Sequence, residues 1–146
     1  MNTPIYLDYA ATTPVDKDAL KEMIPFFTEH FGNAGSSTHQ FGWFANGAIK
    51  RARKQIANSI NCEESEIIFT SGATESINIA IQGIFNLYAS KGNHIIVSKT
   101  EHKAVLDTVS FLEKKGAKVT YLDVNSNGEI NVDELKNAIC DETILI

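Results

Sequence analysis

The 146-residue sequence is poor in cysteine and in positive charge, and it has no apolar run near the roughly 20 residues that cross a bilayer. Cys62 and Cys140 are too few and too far apart for a disulfide framework or a zinc site. Each reads as an inert small residue near a helix end. Met1 to Tyr6 lacks the basic region and the long apolar region of a secretory signal, so a cytoplasmic protein is expected. Lysine and arginine number 13 against 18 aspartates and glutamates, a net charge of -5 that argues against nucleic acid as the main partner. The one basic cluster, Lys50, Arg51, Arg53 and Lys54, is accounted for as a solvated helix face. Repeats and low-complexity linkers are also missing. What remains is one domain's worth of chain with an ordinary 43% of hydrophobic residues.

Along the chain, helical and strand-like patterns alternate. Leu20, Met23, Ile24 and Phe27 share a helical face that Pro25 is expected to break or kink. After the loop Gly32 to Thr38, the spacing of Ala45, Ala48, Ile49, Ala52, Ile56 and Ile60 predicts a long helix. Strands are predicted at Ile67-Ile68-Phe69, at His94 to Ser98 and at Lys118 to Val124. Between them, Ile77, Ala80, Ile81 and Ile84 mark one helix, and Val105, Val109 and Leu112 mark another that closes at Gly116. Asn131, with Glu134 three positions on, reads as a capped helix start. Strands separated by helices of this length indicate βαβ units, hence an α/β fold of three α/β/α layers with a mostly parallel sheet. In such sheets ligands collect beyond the carboxyl ends of the strands.

Two loops fall at that rim. In Thr70-Ser71-Gly72-Ala73-Thr74-Glu75-Ser76 a strand-like run turns through small residues into a helix. The first N–H groups of a helix lack internal partners and sit at the positive end of its dipole, so a phosphate there gains charge-assisted hydrogen bonds. Gly72 and Ala73 allow close approach, and Thr74 adds a hydroxyl. A plain β-to-α connector explains the same residues. One βα unit later, Ser98 to Lys103 places His102 where its imidazole can face the organic part of a ligand held at Thr74; the alternative is a surface histidine in the first turn of a helix.

A third pattern competes for attention. Residues 123 to 134 satisfy D-x-[DN]-x-[DN]-G-x5-E, the calcium loop of EF-hands, with Asp123, Asn125, Asn127 and Glu134 as oxygen ligands and Gly128 at the turn. The context is that of a strand, because Lys118 to Leu122 alternates and is rich in strand formers where an EF-hand needs a helix. A strand leaving through an Asn-Gly turn into a capped helix accounts for the loop.

Four segments in order carry a family resemblance over essentially the whole chain: Tyr6 to Pro14; Phe31-Gly32-Asn33 with Ser36, Ser37 and His39; Phe69 to Ser76; and Lys99 to Leu106. Together they resemble the signatures of cysteine desulfurases, pyridoxal-phosphate (PLP) enzymes of the class V aminotransferase group. One departure is Ala34, where the family usually has proline. The resemblance implies a fold-type I PLP-transferase large domain, incomplete here, spanning 15–146 behind an extended amino-terminal segment 1–14. It implies that Ala73 and Thr74 bind the cofactor phosphate and that His102 stacks on the pyridine ring and serves in proton transfer. It also implies L-cysteine as substrate, a homodimer, and transfer of sulfur through a protein persulfide to an acceptor such as an iron–sulfur scaffold or a tRNA-modifying enzyme, with alanine released.

The same resemblance requires a lysine that carries the cofactor, an acidic partner for the pyridine nitrogen and a nucleophilic cysteine. None of these can be placed in this sequence. Lys99 and Lys103 lie in the wrong motif, and Cys62 and Cys140 match no sulfur-accepting loop. The chain therefore reads as the amino-terminal portion of a desulfurase, with weak or no PLP binding and no turnover alone. Open strand edges would make it poorly soluble or partly ordered unless a second polypeptide covers them. The two other readings are a non-catalytic interaction module of the same family and calcium binding at 123–134.

Overall fold

The computed structural model describes residues 4–146 as two compact units that divide after Ile68. Of the segment 1–14 set apart in the sequence, residues 1–3 lie outside the described residues. The rest of it forms no helix or strand, only a turn in which Ala11 N–H donates to the Asp8 carbonyl at 3.1 Å.

The first unit is helical. Helix α1 (Lys17–Thr28) starts at Asp16, whose carboxylate accepts from the Asp18 and Ala19 amides at 2.9 and 3.0 Å. Pro25 does not end it. The ring forgoes one bond near the carboxyl end, and the Pro25 carbonyl still accepts from the Glu29 and His30 amides. Helix α2 (Gln40–Ile60) is capped by His39 and stops at Asn61, a residue in the left-handed conformation (φ 56°, ψ 53°) that asparagine tolerates. The loop before α2 lies close against it. A Cβ on Gly42 would overlap the Ser36 carbonyl, Trp43 Nε1–H donates to the Ser37 carbonyl at 2.6 Å, and Asn46 Nδ2–H donates to the Ala34 carbonyl at 3.2 Å. Alanine at 34 therefore leaves the loop anchored through its main chain.

The run Ile67-Ile68-Phe69 corrects the strand expected there. Ile67 has strand dihedrals (φ -87°, ψ 121°), yet no strand among the described residues pairs with this run. Strand formers become a strand only where a neighbour exchanges backbone hydrogen bonds with them.

The second unit is an α/β assembly: α3 (Ala73–Leu87), β1 (His94–Ser98), α4 (Lys103–Glu113), β2 (Lys118–Leu122), α5 (Val132–Ala138) and β3 (Thr143–Leu145). The sheet is wholly parallel in the order β2-β1-β3, with His94 opposite Lys118 and Ser98 opposite Leu122. Alternate residues of β1, Ile95 and Val97, enter a core with Val109 and Leu112 of α4, against which Ile81 and Phe85 of α3 also pack. Ile95, Val109 and Leu112 are each 1% exposed, so each contributes on the order of 1.5–3 kcal/mol of burial. The helical spacing of Val105, Val109 and Leu112 and the strand at 94–98 thus take the places expected of them.

One polar side chain is buried in the sheet. His94 Nε2 meets Thr120 Oγ1 of β2 and Nδ1 meets Thr143 Oγ1 of β3, both at 2.8 Å, so this ring ties the three strands together at their amino ends. Burial without both partners would cost several kcal/mol.

Candidate active site

In a right-handed βαβ unit the helices run antiparallel to the strands, so α3 and α4 both begin at the carboxyl end of β1. They pack side by side. A groove of about 450 Å³ between them is lined by Thr74, Asn78 and Gln82 of α3 and by Ala104, Asp107, Thr108 and Phe111 of α4. Thr74 and Ala104, the residues nearest the two helix starts, close one end of it. The two rim loops singled out in the sequence are therefore neighbours.

The start of α3 differs from the others. Five α-helices are described, and four have a side chain on their first amides: Asp16, His39, His102 and Asn131. Helix α3 has Gly72 at that position and no side-chain cap. Its first internal bond is Ser76 N–H to the Gly72 carbonyl at 3.2 Å, which leaves the amides of Ala73, Thr74 and Glu75 ahead of the ladder. Gly72 is held at φ 159°, ψ -177°, with nothing within 4 Å of the place a Cβ would take.

Polar contacts brace the turn from outside. Thr70 Oγ1 lies 2.7 Å from Ser76 Oγ, and Glu75 Oε2 accepts from the Ser71 amide at 2.6 Å and the Ser71 hydroxyl at 2.8 Å. Those two bonds, the backbone one first, hold the Glu75 carboxyl below its usual range. The Ser71–Glu75 contacts lie outside the small-residue pattern that marks the turn in the sequence. Their signal is the Ser71–Glu75 pair astride a helix start, a relative of the capping box.

The second loop is equally fixed. Lys99 N–H donates to the Leu122 carbonyl at 2.9 Å, Thr100 N–H to Ser98 Oγ at 3.2 Å, and Lys99 Nζ reaches both carboxylate oxygens of Asp123 at 2.7 Å. His102 follows as the cap of α4, its Nδ1 accepting from the Ala104 amide at 3.1 Å. Lys103 pairs with Asp107 one turn on.

Residues of the string at 123–134 make contacts of their own within the chain. Asp123 is engaged by Lys99, Asn125 Oδ1 accepts from the Asn127 and Glu129 amides, and Asn131 caps α5. Val124 and Ile130 form an antiparallel bridge across the turn. No group of three or more His, Cys, Asp or Glu side chains among the described residues is placed to hold a metal ion. Of the two thiols, Cys62 is pushed up by burial and then by Glu66 and Glu63. Cys140 lies beside His94, with Sγ 3.5 Å from Nδ1, at the end of β1 away from His102.

An uncapped helix start and an imidazole thus stand on adjacent βα loops of a parallel sheet, the rim where such sheets collect ligands, and the chain belongs to the aminotransferase class-V family, whose model matches residues 5–146. Among curated proteins it is 59% identical over its full length to the cysteine desulfurase IscS of Neisseria gonorrhoeae and 53% identical over 99% of its length to that of Dechloromonas aromatica. The chain spans 36% of the length of each of these relatives. A solved structure of a NifS-like protein superposes on 97% of the chain with a TM-score of 0.91 and 40% identity, and the chain covers 38% of that structure. Among the described residues no helix is long and apolar enough to cross a membrane.

Proposed function

We propose that this chain supplies the phosphate cup and the ring-facing histidine of a PLP-dependent cysteine desulfurase acting on L-cysteine. The uncapped start of α3, inside a segment that matches desulfurases end to end, carries this reading. The amides of Ala73 and Thr74, with the Thr74 hydroxyl, would hold the phosphate, and three free amides with an open approach at Gly72 suit a dianion. When bound, PLP supplies the electron sink that lets bonds at the substrate's α-carbon and sulfur break. The chain's own residues bind and orient. Thr74 and the helix dipole would neutralise the phosphate, and His102 would face the pyridine ring and carry a proton on its imidazole.

The intact enzyme of this reading is a homodimer that passes sulfur to an acceptor protein and releases alanine. Alone, the 146-residue chain does not turn over cysteine. Lys99 and Lys103, which flank His102, are engaged by Asp123 and Asp107, and Cys140 sits at the opposite end of β1. PLP added to the isotope-labelled chain is expected to move the amide resonances of Ala73, Thr74 and Glu75 with weak affinity. Assays for sulfide and alanine are expected to stay at the rate of free PLP. Shifts confined to other residues would remove the cup, and turnover above that rate would refute the catalytic incompleteness.

A further inference from the structure

The caps of the helices are not chemically alike. Aspartate and asparagine, which cap α1 and α5, are the customary residues for accepting from first-turn amides, whereas α2 and α4 are capped by imidazoles, His39 Nδ1 lying 3.3 Å from the Gly42 amide nitrogen. At α4 the cap is His102, with Nδ1 3.1 Å from the Ala104 amide nitrogen. An amide N–H only donates, so Nδ1 must present its lone pair, and a neutral ring then carries its one hydrogen on Nε2. The Nδ1 lone pair points outward in the ring plane, so a bond to it also limits rotation of the imidazole. Nε2, on the other edge of the ring, takes no part in this bond. The backbone under the ring is itself held, through Lys99 N–H to Leu122, Thr100 N–H to Ser98 Oγ and Glu101 N–H to the Ser98 carbonyl at 3.3 Å.

We propose that the Ala104 amide is a positioning group that fixes His102 as the Nε2–H tautomer, so that Nε2 is the one ring atom through which His102 donates or receives a proton. This rests on the PLP reading for its catalytic meaning but not for its geometry. With the ring face against the cofactor and Nδ1 bound to the helix, proton movement at His102 is confined to one edge. A residue that keeps the cap but lacks the ring, such as asparagine, would preserve the helix and lose that proton site.

The chain's four histidines allow a direct reading. In the full chain labelled with ¹⁵N in the imidazoles, long-range ¹H–¹⁵N correlation at alkaline pH is expected to show His102 with Nδ1 bare and Nε2 protonated. His102→Asn identifies its signals by their loss. Ala104→Pro removes the amide in the first turn, where proline is tolerated, and is expected to return His102 to the averaged pattern of free histidine, with the His94 signals reporting that the sheet is intact. An Nδ1–H pattern in the parent chain, or a His102 pattern unchanged by Ala104→Pro, would overturn the proposal. If the proline variant does not fold, hydrogen exchange at the Ala104 amide decides. It is expected to quicken about fivefold to tenfold in His102→Ala and to stay slow in His102→Asn, and equal rates in both variants would overturn the proposal. All of these are read without cofactor. Adding PLP last separates the two readings, since no response at Thr74 or His102 would remove the PLP assignment and leave the tautomer standing.

Discussion

Replacing Ala73 by proline isolates one donor of the proposed phosphate cup. Ala73 is the first residue of α3, the position where proline is most at home, because its fixed φ suits the helix and its missing N–H serves no internal bond. The preceding residue must be extended when proline follows, and Gly72 has ψ -177°. The Ser71–Glu75 brace and the Ser76–Gly72 bond do not involve the Ala73 amide. Folding stability should therefore hold or rise by about 0.4–1 kcal/mol through the stiffer unfolded chain. A hydrogen bond to a charged group is worth about 1.5–3 kcal/mol, so losing one donor should weaken phosphate binding by about 10- to 150-fold. Thr74→Val, which removes the hydroxyl while keeping the shape, should weaken it by a similar factor. The assay is a chemical-shift titration with PLP and, separately, with inorganic phosphate, beside urea unfolding of each variant. If both variants fold and bind as tightly as the parent chain, the start of α3 is only a connector.

Three further outcomes follow from the same structure. His94→Leu keeps most of the volume but drops the bonds to Thr120 and Thr143, so it should cost about 1–3 kcal/mol in urea unfolding, with His94→Ala costing more through the cavity it leaves; a His94→Leu midpoint equal to the parent's would deny the three-strand tie. The folded-state pKa of Glu75 is depressed, so its contribution is present above the ordinary carboxyl range and is lost as pH falls through the folded value. The parent chain should therefore lose more stability between neutral and strongly acid pH than Glu75→Gln, and parallel pH profiles would contradict the brace. Calorimetric titration with calcium should release no heat, because Lys99 and the turn amides engage Asp123 and Asn125 and a strand, not a helix, enters the loop; measurable heat lost on Asp123→Ala would restore the calcium reading.

What could be read from the sequence was local. The continuous apolar run inside His94 to Ser98 and the spacing of Val105, Val109 and Leu112 encode surfaces that bury against each other, and Asn131 is a cap by chemistry alone. Thr74 and His102 were legible as rim residues because each follows or precedes such an element. The rest depends on partners that sequence spacing does not show. Ile67 to Phe69 carries strand-forming residues, but membership of a sheet lies with a neighbouring strand, and the sheet of the described residues is built from β2, β1 and β3 alone. The calcium string at 123–134 matched by type, yet Lys99, 24 residues earlier, takes its first carboxylate. That His102 caps α4 by its Nδ1, as His39 caps α2, was hidden because histidine is not among the customary capping residues.

The strand order β2-β1-β3 also sets a folding sequence. Strand β1 meets β2 across one helix, His94 pairing with Lys118, but it meets β3 only across a much longer excursion, His94 pairing with Thr143. The shorter loop closes at lower entropic cost and its helix packs at once, so β1, α4 and β2 assemble first and β3 joins the other side of β1 later. Until it does, β1 presents a bare edge of main-chain donors and acceptors beside Ile95 and Val97, a template open to a second copy's β3 when the chain is concentrated. The three residues Thr143 to Leu145 thus act as the latch that keeps the sheet within one molecule.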